Sequence, residues 1–254
     1  MCERGVFLAG LAFVPAMAQT PAPRLHDHNL HAWMVYAGDH QFAGRWGVHL
    51  EGQWRRHDAG VRPQQLLLRP AINYQLKRDV ALSAGYAYVT THRYGEYPVQ
   101  AAFPEHRLHQ QATVQHRSGV VEFLHRLRNE QRWLGQRVLS TAGDTGDRTW
   151  RYQNRFRYML RLVVPLKRQP WYFASSNELF LNYAPTREAR TFDQNRAFAG
   201  IGRLVGRDTR VEAGYMQQTL LQRNAKVLEL NHTIQIAIFS RLSFRRPVPV
   251  LRSD

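Results

Sequence analysis

Guanidinium and carboxylate side chains recur at every second position along several stretches of the chain. Arg151, Gln153, Arg155, Arg157 and Arg161 stand opposite Tyr152, Phe156, Tyr158, Leu160 and Leu162. Arg126, Arg128, Glu130 and Arg132 repeat the pattern, as do Glu105, Arg107, His109 and Gln111. Two chemistries suit this arrangement. A guanidinium carries five donors in a rigid fork that matches a carboxylate, so Glu51, Arg69, Glu105, Arg107, Glu122, Arg126, Arg128, Glu130, Arg132, Arg151, Arg155, Arg157, Arg161 and Glu178 could cross-link into a network. Glu212 and Glu229 fall on the same kind of face. Alternatively, the excess of arginine over glutamate could line a narrow water-filled passage and favour anions. A desolvated, unpaired charge is expensive, so either reading needs partners or water.

Other chemistry is weakly signalled. His26, Asp27, His28, His31 and His40 are of types that bind metals, but no second half of a site follows at a motif spacing. His26-Asp27-His28-Asn29 precedes the first expected strand, where nothing orients it as an acid/base cluster. The chain has no Gly-x-Ser-x-Gly, no phosphate-cradling glycine loop and no His-Glu-x-x-His. We therefore expect no enzyme, no catalytic residue, no metal and no cofactor. The enzymatic alternative is a membrane-embedded hydrolase of lipid or lipid A, for which scattered Ser, His and Asp supply no geometry.

The elements that must position these residues are strands. In Arg45 to Arg56 the even positions Trp46, Val48, Leu50, Gly52 and Trp54 alternate with Arg45, Gly47, His49, Glu51, Gln53 and Arg55. Trp46 and Trp54 lie on one face, roughly 26 Å apart along a strand and about 20 Å apart in height once tilt is allowed for, close to the apolar band of an outer-membrane barrel. Trp46, Trp54, Tyr74, Tyr86, Tyr158 and Trp171 are the expected aromatic girdle.

Further strands follow at about 30–38, 66–75, 80–88, 105–117, 122–132, 151–162, 171–183, 193–204, 210–218 and 227–239, with a short twelfth at 241–245. Pro70 argues for a bulge or an edge-like position in its strand. Connections alternate short and long, and His106, Asn129, Gln131, Asn154, Gln194 and His232 take outward positions beside the long ones. These features predict an all-β, antiparallel up-and-down transmembrane β-barrel of about 12 strands (about 10–12). The expected divisions are a signal peptide at 1–18, an irregular lead-in at 19–29, the barrel at 30–245 and a tail at 246–254.

The N-terminus supports export. An apolar run from Val6 to Val14 precedes Ala16-Met17-Ala18, a small-residue cleavage pattern, and is too short to span a bilayer. Cys2, the single cysteine, would leave with the signal. The 254 residues carry a formal charge of +16, almost all of it from arginine. Because the arginines alternate with apolar residues instead of gathering in a tail or on one helix, they mark a sheet face and not a nucleic-acid site.

The chain resembles a family of Gram-negative secreted proteins that share a domain of unknown function and are regarded as outer-membrane β-barrels. The resemblance runs from about His31 to Phe244. It rests on His31-Ala32-Trp33, Arg45-Trp46-Gly47 with Glu51-x-Gln53-Trp54-Arg55, Tyr94-Gly95-Glu96, Glu105-His106-Arg107, His125-Arg126-x-Arg128-x-Glu130-Gln131-Arg132, Gln153-Asn154-Arg155-x-Arg157, Asp193-Gln194-Asn195-Arg196 and Asn231-His232-Thr233. It implies architecture and location in the bacterial outer membrane, and no activity. The expected partners are outer-membrane lipids and lipopolysaccharide, with the barrel-assembly machinery during biogenesis.

Overall fold

The computed structural model describes residues 24–99, 101–137, 148–183 and 191–244. The expected signal peptide and tail lie outside these residues. Eleven strands follow in chain order: β1 (Leu25–Ala43), β2 (Trp46–His57), β3 (Arg62–Lys77), β4 (Val80–Thr91), β5 (Phe103–Ser118), β6 (Val121–Arg137), β7 (Arg148–Pro165), β8 (Trp171–Tyr183), β9 (Phe192–Val205), β10 (Thr209–Leu221) and β11 (Val227–Ser240). Each pairs with its sequence neighbours, and β1 meets β11 to close a barrel.

The alternation read from the sequence becomes the two walls of this barrel. Along β8, Trp171 and Phe173 are exposed outside while Tyr172 and Ala174 are buried inside. Along β11, Ile234, Ile236 and Ile238 face out, and Asn231, Thr233 and Ala237 are buried. Trp46 and Trp54 are each 48% exposed on the outer wall. Tight connections fall where glycine supplies the backbone freedom. Gly44, Gly119 and Gly206 take φ of 49°, 57° and 70° in the turns that follow β1, β5 and β9.

Four expectations need correction. The barrel has eleven described strands, not twelve, because Arg241 to Phe244 forms only an isolated bridge, Ser243 to Gln41, with Phe244 N–H donating to the Gln41 carbonyl at 2.8 Å. The sheet is consequently not wholly antiparallel. An odd number of strands in up-and-down order leaves the first and last running the same way, so β1 and β11 pair in parallel from Leu25↔Val227 to Gly38↔Ser240. The lead-in is shorter than expected, since pairing with β11 carries β1 back to Leu25. Of the two alternatives for Pro70, the bulge is wrong and the edge-like position holds. Arg69 and Pro70 stay out of the ladder to β4, yet Leu68↔Tyr88 and Ala71↔Gly85 keep one register across the gap.

Short turns join β1 to β2, β3 to β4, β5 to β6, β7 to β8 and β9 to β10 at one end of the barrel. The longer connections after β4, β6 and β8 lie at the other. These two ends frame the lumen.

Candidate functional site

Inside the upper half, toward the long connections, a layer of ion pairs joins strands that are not neighbours. Glu130 on β6 is 0% exposed and accepts from Arg155 Nη2 at 2.6 Å and Arg157 Nη1 at 2.6 Å, both on β7. Arg157 also donates to Glu178 on β8, Nη2 to Oε1 at 2.7 Å, and Arg126 reaches the same oxygen at 2.8 Å. Arg155 Nη1 donates to Asp193 on β9 at 2.8 Å. Glu105 on β5 holds Arg107 in a fork, 2.7 and 2.9 Å, and also accepts from Arg132. On the facing wall Arg69 donates to Glu51 at 2.5 Å, and its other terminal nitrogen lies 3.7 Å from Glu130. Lower down, beside the short turns, Arg161 on β7 reaches Glu212 on β10, which Tyr172 also supplies with a hydroxyl donor at 2.8 Å.

Small inward residues make room for these long side chains. Ser83, Gly85 and Ala87 occupy the inner face of β4, between Arg69 and the network on β6. Aromatic rings fill the other side. Arg155, Arg157 and Arg196 sit over the Phe180 ring at 5.2, 4.3 and 4.7 Å, and Arg55 and Arg196 stack on Trp33 at 3.9 and 5.0 Å. Arg196 therefore bridges β9 to β1 between two rings. Charges this deeply buried are stable only because each carboxylate meets more than one donor, several guanidinium groups at Glu105, Glu130 and Glu178 and one guanidinium beside neutral donors at Glu51 and Glu212.

Above the layer, the connection after β4 folds into the mouth. Tyr94 donates its hydroxyl to Glu229 Oε2 on β11 at 2.9 Å, and its ring packs edge-on against His31 with centroids 5.4 Å apart. Burial and the Glu229 carboxylate hold the Tyr94 phenol well above its usual range, so it stays a donor. Gln222 donates to the Tyr97 carbonyl at 2.8 Å from the turn after β10. Asp27 and Glu229, register partners across the parallel seam, both lie buried beneath this cap.

Below the layer, toward the short turns, the lumen opens into a cavity of about 600 Å³. Ten arginines line it against four carboxylates, Asp39, Glu51, Asp79 and Glu178.

Most of the network residues named from the sequence come together: Glu51, Arg69, Glu105, Arg107, Arg126, Arg128, Glu130, Arg132, Arg155, Arg157, Arg161 and Glu178 all face the lumen. Arg151 shares that face of β7 near the long-connection end and is half-buried. Glu122 does not join them. It is 45% exposed and pairs with Arg117, 65% exposed, beside the β5–β6 turn. Gln194 is also corrected: it is buried inside, in plain alternation with Arg196 and Phe198, while Asp193 is an extra residue between the pairs Phe180↔Gln194 and Leu181↔Phe192. The bulge turns Asp193 into the lumen as well. Asp193 and Arg196 were marked by the family resemblance and by polar type but not placed in the network, and strict alternation would have misplaced the first.

All six expected girdle residues face outward. Trp46 and Tyr74 pack with centroids 4.8 Å apart beside the short turns, where Trp171 also lies. Trp54 and Tyr86 sit toward the other end, and Tyr158 bonds His125 at 2.9 Å between them. Where the outer wall turns polar, tyrosines pair with the outward polar residues: Tyr86 with His106 at 2.5 Å, Tyr183 with Asn129 at 2.5 Å and Tyr215 with His232 at 2.6 Å.

Comparison with known proteins adds three findings. A family model described as "Protein of unknown function (DUF2490)" matches residues 30–229. An uncharacterized protein of Methylorubrum extorquens is 29% identical over 243 residues, 93% of this chain and 97% of that one. The solved NanC porin structure in rhombohedral crystal form is similar over 74% of this chain and 82% of its own, with 11% identity and a TM-score of 0.43.

Proposed function

The chain belongs to the DUF2490 family of proteins of unknown function, and from its geometry we propose that it is a bacterial outer-membrane β-barrel whose lumen is braced shut by an arginine–carboxylate layer. The observation that carries this reading is the pairing of an apolar outer wall with buried ion pairs inside. Leu50, Leu68, Ile72, Leu82, Leu127 and Ile236 lie exposed on that outer wall. A water-soluble protein does not leave so wide an apolar surface uncovered, whereas hydrocarbon requires it. The tyrosines that bond outward histidine and asparagine mark the height at which lipid would give way to water.

On this reading the short turns face the periplasm and the longer connections face outward, with the Tyr94 cap on the outer side. The network makes the barrel structural in this conformation. Outer-membrane lipids and lipopolysaccharide would surround it, and the barrel-assembly machinery would insert it. Membrane fractionation and heat-modifiable gel mobility of the purified chain test the reading. Extraction only by detergent and a mobility shift on boiling are expected; a chain that stays in the soluble fraction with unshifted mobility would overturn it.

A second reading, a narrow anion-selective passage, is favoured by the arginine excess around the lower cavity. It needs the ion-pair layer and the cap to part. Planar-bilayer recording in a salt gradient separates the two: a silent bilayer supports bracing, and intermittent current with a reversal potential set by anions supports passage.

A further inference from the structure

The lower cavity has two unlike walls. On β3, β5 and β6 it presents Arg69, Gln111, Thr113 and Arg128, and on β9, β10 and β11 it presents Phe198, Met216 and Phe239 interleaved with Arg196, Arg210 and Gln235. The polar wall carries donor capacity that the protein leaves unused. Arg128 is 2% exposed and spends Nε and Nη2 on Gln111 Oε1, while its buried Nη1 has no hydrogen-bond partner and lies 3.9 Å from Glu130. Arg69 Nε and Arg126 Nε are likewise buried without a partner. A buried guanidinium nitrogen with an unfilled donor position, on a side chain that lines a cavity, gains a partner when the side chain turns toward an entering oxyanion.

The geometry points to this cavity as a binding site for an amphipathic organic anion: one carboxylate or sulfonate head at Arg128 and Arg69, and an apolar body against Phe198, Met216 and Phe239. The volume, about 600 Å³, is that of a small-molecule site. Inorganic anions would satisfy the head and leave the apolar wall wet. A cationic body of the same shape would meet an excess of arginine. Fatty acids and free aromatic acids share the required chemistry, and the site selects the pairing of head and body.

The full-length chain in nanodiscs, titrated calorimetrically with 2-naphthalenesulfonate, tests this. Saturable one-to-one binding is expected, with sulfate and 2-naphthylmethylammonium each at least about tenfold weaker. Arg128→Gln should weaken binding about tenfold or more. Gln111→Glu keeps the barrel folded by giving Arg128 an internal carboxylate, and it should abolish binding. Phe198→Ala should weaken the aromatic sulfonate while leaving sulfate unchanged. Equal binding of the naphthyl cation, or full binding by Gln111→Glu, would overturn the assignment. Dodecanoate competing with the naphthyl probe would place lipid-derived acids within the class, and failure to compete would limit it to compact acids. The site rests on the luminal walls alone, so its failure in a chain that keeps heat-modifiable mobility leaves the membrane reading standing.

Discussion

Arg69 on β3 and Glu130 on β6 face each other at 3.7 Å, Nη2 to Oε1, although β4 and β5 lie between their strands. The contact exists because β4 turns only Ser83, Gly85 and Ala87 toward the lumen at that height. Strands three places apart round the barrel are thereby tied through a carboxylate that also holds Arg155 and Arg157.

Glu130→Gln should therefore destabilise the barrel by about 3–5 kcal/mol, since it strips a buried counter-charge from several guanidinium groups at once. Glu122→Gln, in the exposed pair with Arg117, should change stability by less than about 0.5 kcal/mol. Denaturant midpoints followed by tryptophan fluorescence in micelles check both. Equal effects would mean that water, and not Glu130, carries the charge of the layer.

At Gly85 an added Cβ would run into the Pro70 carbonyl and the backbone of its ladder partner Ala71. Gly85→Val is expected to cost about 1–3 kcal/mol from overpacking. Ala84→Val, one position along and on the outer wall, should be nearly neutral. Thermal midpoints of heat-modifiability compare the two.

Leu68→Arg tests what bathes the outer wall. The residue is 50% exposed near the middle of β3. In water a substitution there would be nearly neutral, whereas in hydrocarbon it should cost about 2–4 kcal/mol. Folding equilibria into lipid vesicles give the number directly.

Tyr94→Phe removes the hydroxyl that caps Glu229 and should cost about 1 kcal/mol, read as faster amide exchange in residues 92–99. The phenol is held above its usual value, so the folded state binds that proton more tightly than the unfolded chain does. Its contribution should be complete below about pH 10 and be lost as pH climbs through the folded value. Cap exchange that rises well below pH 10 in the wild type and not in Tyr94→Phe would contradict this.

Much of this architecture is legible in the residues themselves. Period-two alternation assigned the walls along β4, β6, β7 and β11, because one residue type suits each side and the strand permits no third. Legibility failed where the period broke or where a pairing was remote. The extra residue at Asp193 points inward against the parity of the strand that follows it. Trp33 faces the lumen because Arg55 and Arg196 accept its ring there, a partnership that apolar character does not announce. The Tyr94 cap joins residues 135 positions apart. The start of β1 was hidden because Leu25 to Asn29 gains its backbone partners from β11 at the far end of the chain.

The parallel seam also decides how the molecule is oriented at its extremities. Leu25 opens β1 beside the long connections, and Ser240 closes β11 beside the short ones. If the barrel spans a membrane as proposed, an epitope spliced ahead of Leu25 and another spliced behind Ser240 would be reached by antibody from opposite faces. An even count of staves would have shown both to the same side.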